Sequence, residues 1–186
     1  FDDDILSASR NMAKRYRCNT SHGQKIENYA LQIFDAMKKF HGLGTRERLL
    51  LQIASILHDC GKFISLRDSS ACAYNIIMAT EIIGLSHAER EIVAEVVRCN
   101  LDAFRYGEGS IRAGKLTAML RLANAMDRSH HGRLDDGKLQ VKGNKLIIST
   151  SYAGNLALET MAVEDKADFF EEMFGIRPEI RQKRRV

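Results

Sequence analysis

From Ile26 to Phe40 apolar side chains return every three or four residues, at Ile26, Tyr29, Ala30, Ile33, Phe34, Met37 and Phe40. That spacing lays one stripe along a helix and predicts an amphipathic one, stopped at Gly42. Ser21-His22-Gly23-Gln24 ahead of it has the form of a capping box and places His22 in the first turn. The same period precedes it in Ile5, Ala8, Met12 and Tyr16, behind three acids, Asp2 to Asp4, that suit the positive end of a helix dipole. Leu49, Leu50, Ile53, Ala54, Ile56 and Leu57 predict a third helix from Thr45 to about His58, broken by Gly61. A fourth is predicted over roughly Ser69 to Ile83 with Gly84 as stop. The fifth starts at Ser86, whose partner Glu89 completes a box, and carries Ile92, Val93, Val96 and Val97. Asn100 to Ser110, with Gly107 and Gly109, reads as a loop before a sixth helix bearing Leu116, Met119, Leu120, Ala123 and Met126 on one face.

After Gly132 the texture changes. Leu139-Gln140-Val141 and Leu146-Ile147-Ile148 flank Gly143-Asn144, a two-residue hairpin signal. A helix from about Leu156 to Met173 and a short strand near Ile176 to Ile180 follow, with Pro178 confining that strand to an edge. The expectation is a mainly α fold: a helical core of about six helices over residues 1–132, then a small α+β appendage over residues 133–186 packed on it. Nothing linker-like separates the two.

Composition narrows the class without naming a function. At 186 residues and 45% hydrophobic content the chain can bury a core, and one proline suits helices joined by short connections. Its longest uncharged runs fall well short of the roughly 20 apolar residues a membrane span needs. Cys18, Cys60, Cys72 and Cys99 show no CxxC pairing, so reduced thiols and a cytoplasmic setting are expected. The net charge of +4 belongs to the end of the chain: from Arg177 onward five Lys/Arg face Glu179 alone, and the preceding residues carry 23 basic and 23 acidic groups. An anion site in the body therefore needs local clustering of Lys or Arg.

The candidate chemistry lies in Leu57-His58-Asp59-Cys60-Gly61-Lys62. An imidazole and a carboxylate from consecutive positions can hold a divalent ion; a plain helix cap, with His58 near the last carbonyls, explains the same pair. Cys60 beside it reads as a buried structural thiol in preference to a nucleophile, for want of a third group. His41, His87, His130 and His131 have no ligand spacing and read as surface residues. Together, His22 opening one helix, the His-Asp-x-Gly string, Tyr74-Asn75-Ile76-Ile77, Gly84-Leu85-Ser86 and Leu120-Arg121-Leu122-Ala123-Asn124-Ala125-Met126-Asp127-Arg128-Ser129 resemble the HD-domain superfamily. Within it the chain is similar to the C-terminal domain of the exopolyphosphatase and guanosine pentaphosphate phosphohydrolase family, over nearly its whole length.

That resemblance implies an HD-like helical core and a metal set of a first His, the His-Asp pair and a closing Asp. His22, His58 and Asp59 match, but the closing position carries Asn124, a neutral and weaker ligand. Cys72 and Asn100 stand where further histidines would come, so the implied metal site is vestigial and no stoichiometric metal or other cofactor is expected. Lys62, Arg98, Arg121 and Arg128, beside the motif segments, are the candidate phosphate contacts. In the family resembled, phosphoanhydride hydrolysis belongs to N-terminal actin-like ATPase-fold domains. The implied role here is to help bind polyphosphate or guanosine pentaphosphate for a parent enzyme and to form a homodimer, without catalysis by this domain. Two other readings stay open: an autonomous metal-dependent HD phosphohydrolase, and a purely structural dimerisation module.

Overall fold

The computed structural model of the chain describes residues 2–104 and 111–183. The first half is helical: α1 (Asp2–Arg15), α2 (Thr20–Ala36), a four-residue α3 (Lys38–His41), α4 (Thr45–Leu57), a 3₁₀ turn (Cys60–Phe63), α5 (Ser69–Ala79), α6 (His87–Cys99) and α7 (Ile111–Met126). Then come β1 (Lys138–Lys142), β2 (Lys145–Thr150), α8 (Ala157–Phe174) and β3 (Arg177–Gln182). This is the mainly α fold with a small β-containing appendage that the periodicity predicts. Of the loop expected over Asn100 to Ser110, residues 105–110 lie outside the described residues.

Two helices are buried on every side and organise the rest. In α4 every residue from Leu49 to Leu57 except Gln52 is buried, and α1, α2, α6 and α7 all pack against it. Ser55 is tolerated there because its hydroxyl donates to the Leu51 carbonyl at 2.8 Å. In α7 Leu116 to Leu120, Leu122, Ala123, Ala125 and Met126 are buried between α2, α6 and α8. A helix hydrophobic all round belongs in a core, and its ends then become fixed points. The C-terminal ends of α4 and α7 carry His58 and Asn124, so burial of the two central helices positions the candidate site.

Three expected boundaries move. The long second helix breaks at Met37, whose backbone (φ −93°, ψ 8°) leaves helical geometry; α3 continues to Gly42 at φ +66°, and Phe40 turns out to solvent. The cap of α2 is Asn19, whose side chain accepts the His22 N–H at 3.1 Å; Ser21 lies inside the first turn. Helix α5 stops at Ala79, four residues before Ile83, because Thr80 is extended and its hydroxyl bonds back to the Ile76 carbonyl at 2.7 Å. Ile83 is 85% exposed. At the start of α6 the Ser86–Glu89 capping box forms as expected.

The sheet has the order β1-β2-β3. The hairpin turns at Gly143-Asn144 with Lys142 opposite Lys145, Gly143 taking the left-handed φ of +61°. Strand β3 joins β2 in parallel, with Leu146 opposite Pro178, so Pro178 does lie on an edge and α8 is the crossover between the two. The other side of α8 packs on α7 through Val163, Ala167 and Phe170. Leu146, Ile148, Val163 and Phe170 thus join the same apolar cluster as Leu50 and Leu120. Among the described residues no helix is long and apolar enough to cross a membrane. All four cysteines are free thiols, Cys60 and Cys99 buried.

Candidate functional site

His22 in the first turn of α2, His58 at the C-cap of α4 and Asp59 beside it meet where the two helix ends converge. One ligand atom from each lies within 4.8 Å of the others. The rings of His22 and His58 stand edge to face, centroids 5.6 Å apart. Hydrogen bonds fix which nitrogen each ring offers. His58 donates Nδ1–H to the Ser55 carbonyl at 2.6 Å, so its Nε2 carries the lone pair; that Nε2 is buried without a hydrogen-bond partner, 3.4 Å from a carboxylate oxygen of Asp59. Burial holds the His58 imidazole below its usual pKa, against the pull of the Asp59 charge, and so keeps it neutral. The cap expected of the His-Asp pair is therefore made by Nδ1, and Nε2 is left without a partner.

His22 is oriented by a residue the sequence reading passed over. Asp127, fully buried one turn beyond Asn124, accepts from His22 Nδ1 at 2.7 Å and from the Gly132 N–H at 2.9 Å. Burial alone raises the Asp127 carboxyl; the His22 and Gly132 hydrogen bonds outweigh it, and the pKa ends below the ordinary value. The bond turns His22 Nε2 toward the site, 3.3 Å from Asn124 Oδ1. An Asp three residues after Asn124, in the turn that directly follows α7, is the signal that finds it, since i and i+3 lie close on a helical turn. Asp59 is likewise raised by burial and lowered further by His58 and by Lys62, whose ammonium lies 2.9 Å away; its pKa ends low.

His130 was expected at the surface. It is exposed, yet its ring lies flat on His22, centroids 3.7 Å apart and planes 7° from parallel, from a backbone at φ +60°. The other expected surface histidine, His41, is fully buried: Nδ1 accepts the Leu43 N–H at 2.8 Å and Nε2–H donates to the Phe34 carbonyl at 3.0 Å. It serves the α3 turn, away from this site. His87 is exposed. Burial pushes the Cys60 thiol up to about 12, as a structural thiol requires.

A cleft of about 370 Å³ opens over His22. Of the four predicted phosphate contacts, Lys62, Arg121 and Arg128 line it, with Asn124 and His130. Arg98 does not: its guanidinium is tied to Glu95 and lies 4.0 Å from Asp102 on the side of α6. Arg121 is held firmly, donating to the carbonyls of Cys99 (2.8 Å) and Asp102 (2.6 Å) with its guanidinium 4.6 Å above the Phe169 ring. Asn100, Leu101 and Ala125 also line it, and Ala162, Asp165 and Lys166 of α8 add a wall that no motif announced.

The donor set is of the kind that suits one divalent ion but lacks a closing carboxylate, Asn124 standing in that place. Two imidazoles, one with a buried and unpartnered nitrogen, and one carboxylate make three candidate ligands, and Asp127 orients one imidazole from behind. Bound there, such an ion supplies an activated water and a Lewis acid. The chain's own residues orient and neutralise: Lys62 balances Asp59, and Arg121 and Arg128 line the cleft above His22.

Comparison with known proteins agrees with this architecture. A family model described as Ppx/GppA phosphatase, domain III, matches residues 6–164. A guanosine-5'-triphosphate,3'-diphosphate pyrophosphatase of Photobacterium profundum is 24% identical over 157 residues, covering 81% of this chain and 32% of that protein, so the chain spans about a third of the relative's length. The chain belongs to the Ppx/GppA phosphatase family and corresponds to its third domain.

Proposed function

We propose that this chain is the anion-binding C-terminal domain of an exopolyphosphatase or guanosine pentaphosphate phosphatase type of phosphohydrolase, and that the cleft over His22 holds part of a condensed phosphate chain. The observation that carries the reading is convergence: Lys62 from the 3₁₀ turn, Arg121 from α7 and Arg128 just beyond it line one cleft although they are spread over 67 positions of sequence. Phosphoanhydride cleavage would then belong to actin-like ATPase-fold domains of a parent enzyme, with this domain contributing binding and a homodimer contact in the cytoplasm. The free thiols and the name of the similar pyrophosphatase support that setting and that class of substrate. Residues 1–132 would act as the helical unit and 133–186 as the appendage on it.

Titration of purified protein with polyphosphate at low salt tests the reading. Arg128→Ala should weaken binding by about tenfold, the value of one charge-assisted contact. Unchanged affinity would remove the cleft from consideration and leave a structural dimerisation module.

One observation favours a second reading, a metal-dependent phosphohydrolase: the unpartnered His58 Nε2 beside His22 and Asp59. With Asn124 in the closing position the set lacks a further carboxylate, and purified protein should hold no stoichiometric metal. Elemental analysis decides. One equivalent of manganese, iron or zinc, lost on His58→Ala, would restore the hydrolase reading.

A further inference from the structure

We infer that Lys166, on α8, is a phosphate-binding residue and supplies the second mobile cation of the cleft; the inference rests on the cleft reading above. Among the described residues four cations line the cavity: Lys62, Arg121, Arg128 and Lys166. They are not equally available. The Lys62 ammonium is held 2.9 Å from Asp59, a carboxylate nine-tenths covered by protein, so it is already neutralised in place. Arg121 has Nε and one terminal nitrogen committed to the Cys99 and Asp102 carbonyls and its plane fixed on Phe169. Its direction is set before any ligand arrives. Arg128 is exposed and makes no ion pair with a described residue. A chain of phosphates carries about one charge per unit and needs more than one adjustable cation to grip it.

Lys166 meets that need. Its ammonium is 3.3 Å from Asp165, but that neighbour is 73% exposed and adjacent in sequence, a pairing that solvent screens and that a phosphate can displace. It also comes from a different element. Helix α8 turns Val163, Ala167 and Phe170 into the core against α7 and sets Ala162, Asp165 and Lys166 in the cleft. The Arg121–Phe169 stack ties the same helix to the opposite wall. An anion between Arg128 and Lys166 would therefore be held from two walls, one following the buried helix α7 and the other anchored by the buried face of α8. A flexible four-carbon ammonium opposite a guanidinium fork suits a ligand whose phosphates present varied oxygens, as a condensed phosphate does.

The test is calorimetric titration of the whole chain with inorganic tripolyphosphate and, separately, with guanosine triphosphate, at several salt concentrations. Lys166→Ala, Arg128→Ala and a control in an exposed lysine of the sheet, Lys142→Ala, are compared, each checked for an unchanged unfolding midpoint. Lys166→Ala should weaken both ligands five- to tenfold and reduce the slope of log affinity against log salt by about one. Lys166→Arg should restore most of the loss, and Lys142→Ala should do nothing. If Arg128→Ala weakens binding while Lys166→Ala behaves like the control, the inference is wrong and the cleft reading stands. If neither variant changes affinity, the cleft reading itself falls and this inference with it. A loss confined to guanosine triphosphate would place Lys166 on the nucleoside and overturn its assignment to the phosphates.

Discussion

His41 shows how little the identity of a residue says without its neighbours. With no ligand spacing it reads as a surface group, but Leu43 N–H and the Phe34 carbonyl occupy both ring nitrogens in a fully buried setting. Burial keeps its pKa below the ordinary value. The folded form thus resists a proton that the unfolded chain accepts near pH 6.5, so this contribution to stability is complete above that pH and is lost as pH falls below it. His58 has the same sign. His41→Ala should cost about 2 kcal/mol by leaving the Leu43 N–H and the Phe34 carbonyl unpaired, and should flatten the fall in stability between about pH 6.5 and 5. Urea unfolding at the two pH values measures both, and an unchanged pH dependence would count against the assigned tautomer. Asp127 is legible in principle, one turn after Asn124, but nothing in the sequence says that its carboxylate reaches His22 across 105 positions.

At the scale of elements, hydrophobic spacing located nearly every helix and the hairpin, because a stripe or an alternation is a property of the chain alone. It missed the break at Met37 and the early stop at Ala79, which depend on what the backbone meets: the Thr80 hydroxyl on Ile76, and Gly42 in the left-handed region. Gly61 is a sharper case. It was expected to break a helix, but helix α4 has already ended at Leu57, and what Gly61 permits is contact. A Cβ there would overlap the Ser69 carbonyl oxygen and lie 2.7 Å from the Ala73 nitrogen, inside the first turns of α5. Because both are backbone atoms, no side chain can move aside. Gly61→Ala should destabilise by on the order of 3 kcal/mol, at the upper end for overpacking. It should also disturb the turn that carries Asp59 and Lys62. A thermal midpoint within a degree or two of the parent would show that the approach is looser than described.

For the whole molecule, the proposed anion affinity has two separable sources, the basic end and the cleft. The excess of positive charge lies after residue 176, yet Arg177 is engaged by Asp168 and Glu171, and residues through Gln182 are paired with β2. A deletion that spares the sheet must therefore begin at residue 184. Removing residues 184–186 should lower polyphosphate affinity at low salt and matter little once salt brings the screening length to about 8 Å. Arg128→Ala should keep its effect there. If the deletion abolishes binding and Arg128→Ala changes nothing, the anion site is the tail. Sequence reading found three of the four cations around the cleft because they neighbour recognisable motifs; Lys166 sits in an ordinary amphipathic helix, and only the crossover between β2 and β3 brings it there.

The bond between His22 and Asp127 joins residues 105 positions apart, and this gives the site a place in time as well as in space. A ribosome adds roughly 5–20 residues per second, so His22 waits on the order of 5–20 s for its partner to be made. Helices α1, α2 and α4 can assemble in that interval. The imidazole cannot take its final orientation until α7 is complete, and the wall that bears Lys166 follows later still. The site can therefore be complete only after α7, and for the wall that bears Lys166 also α8, has been made.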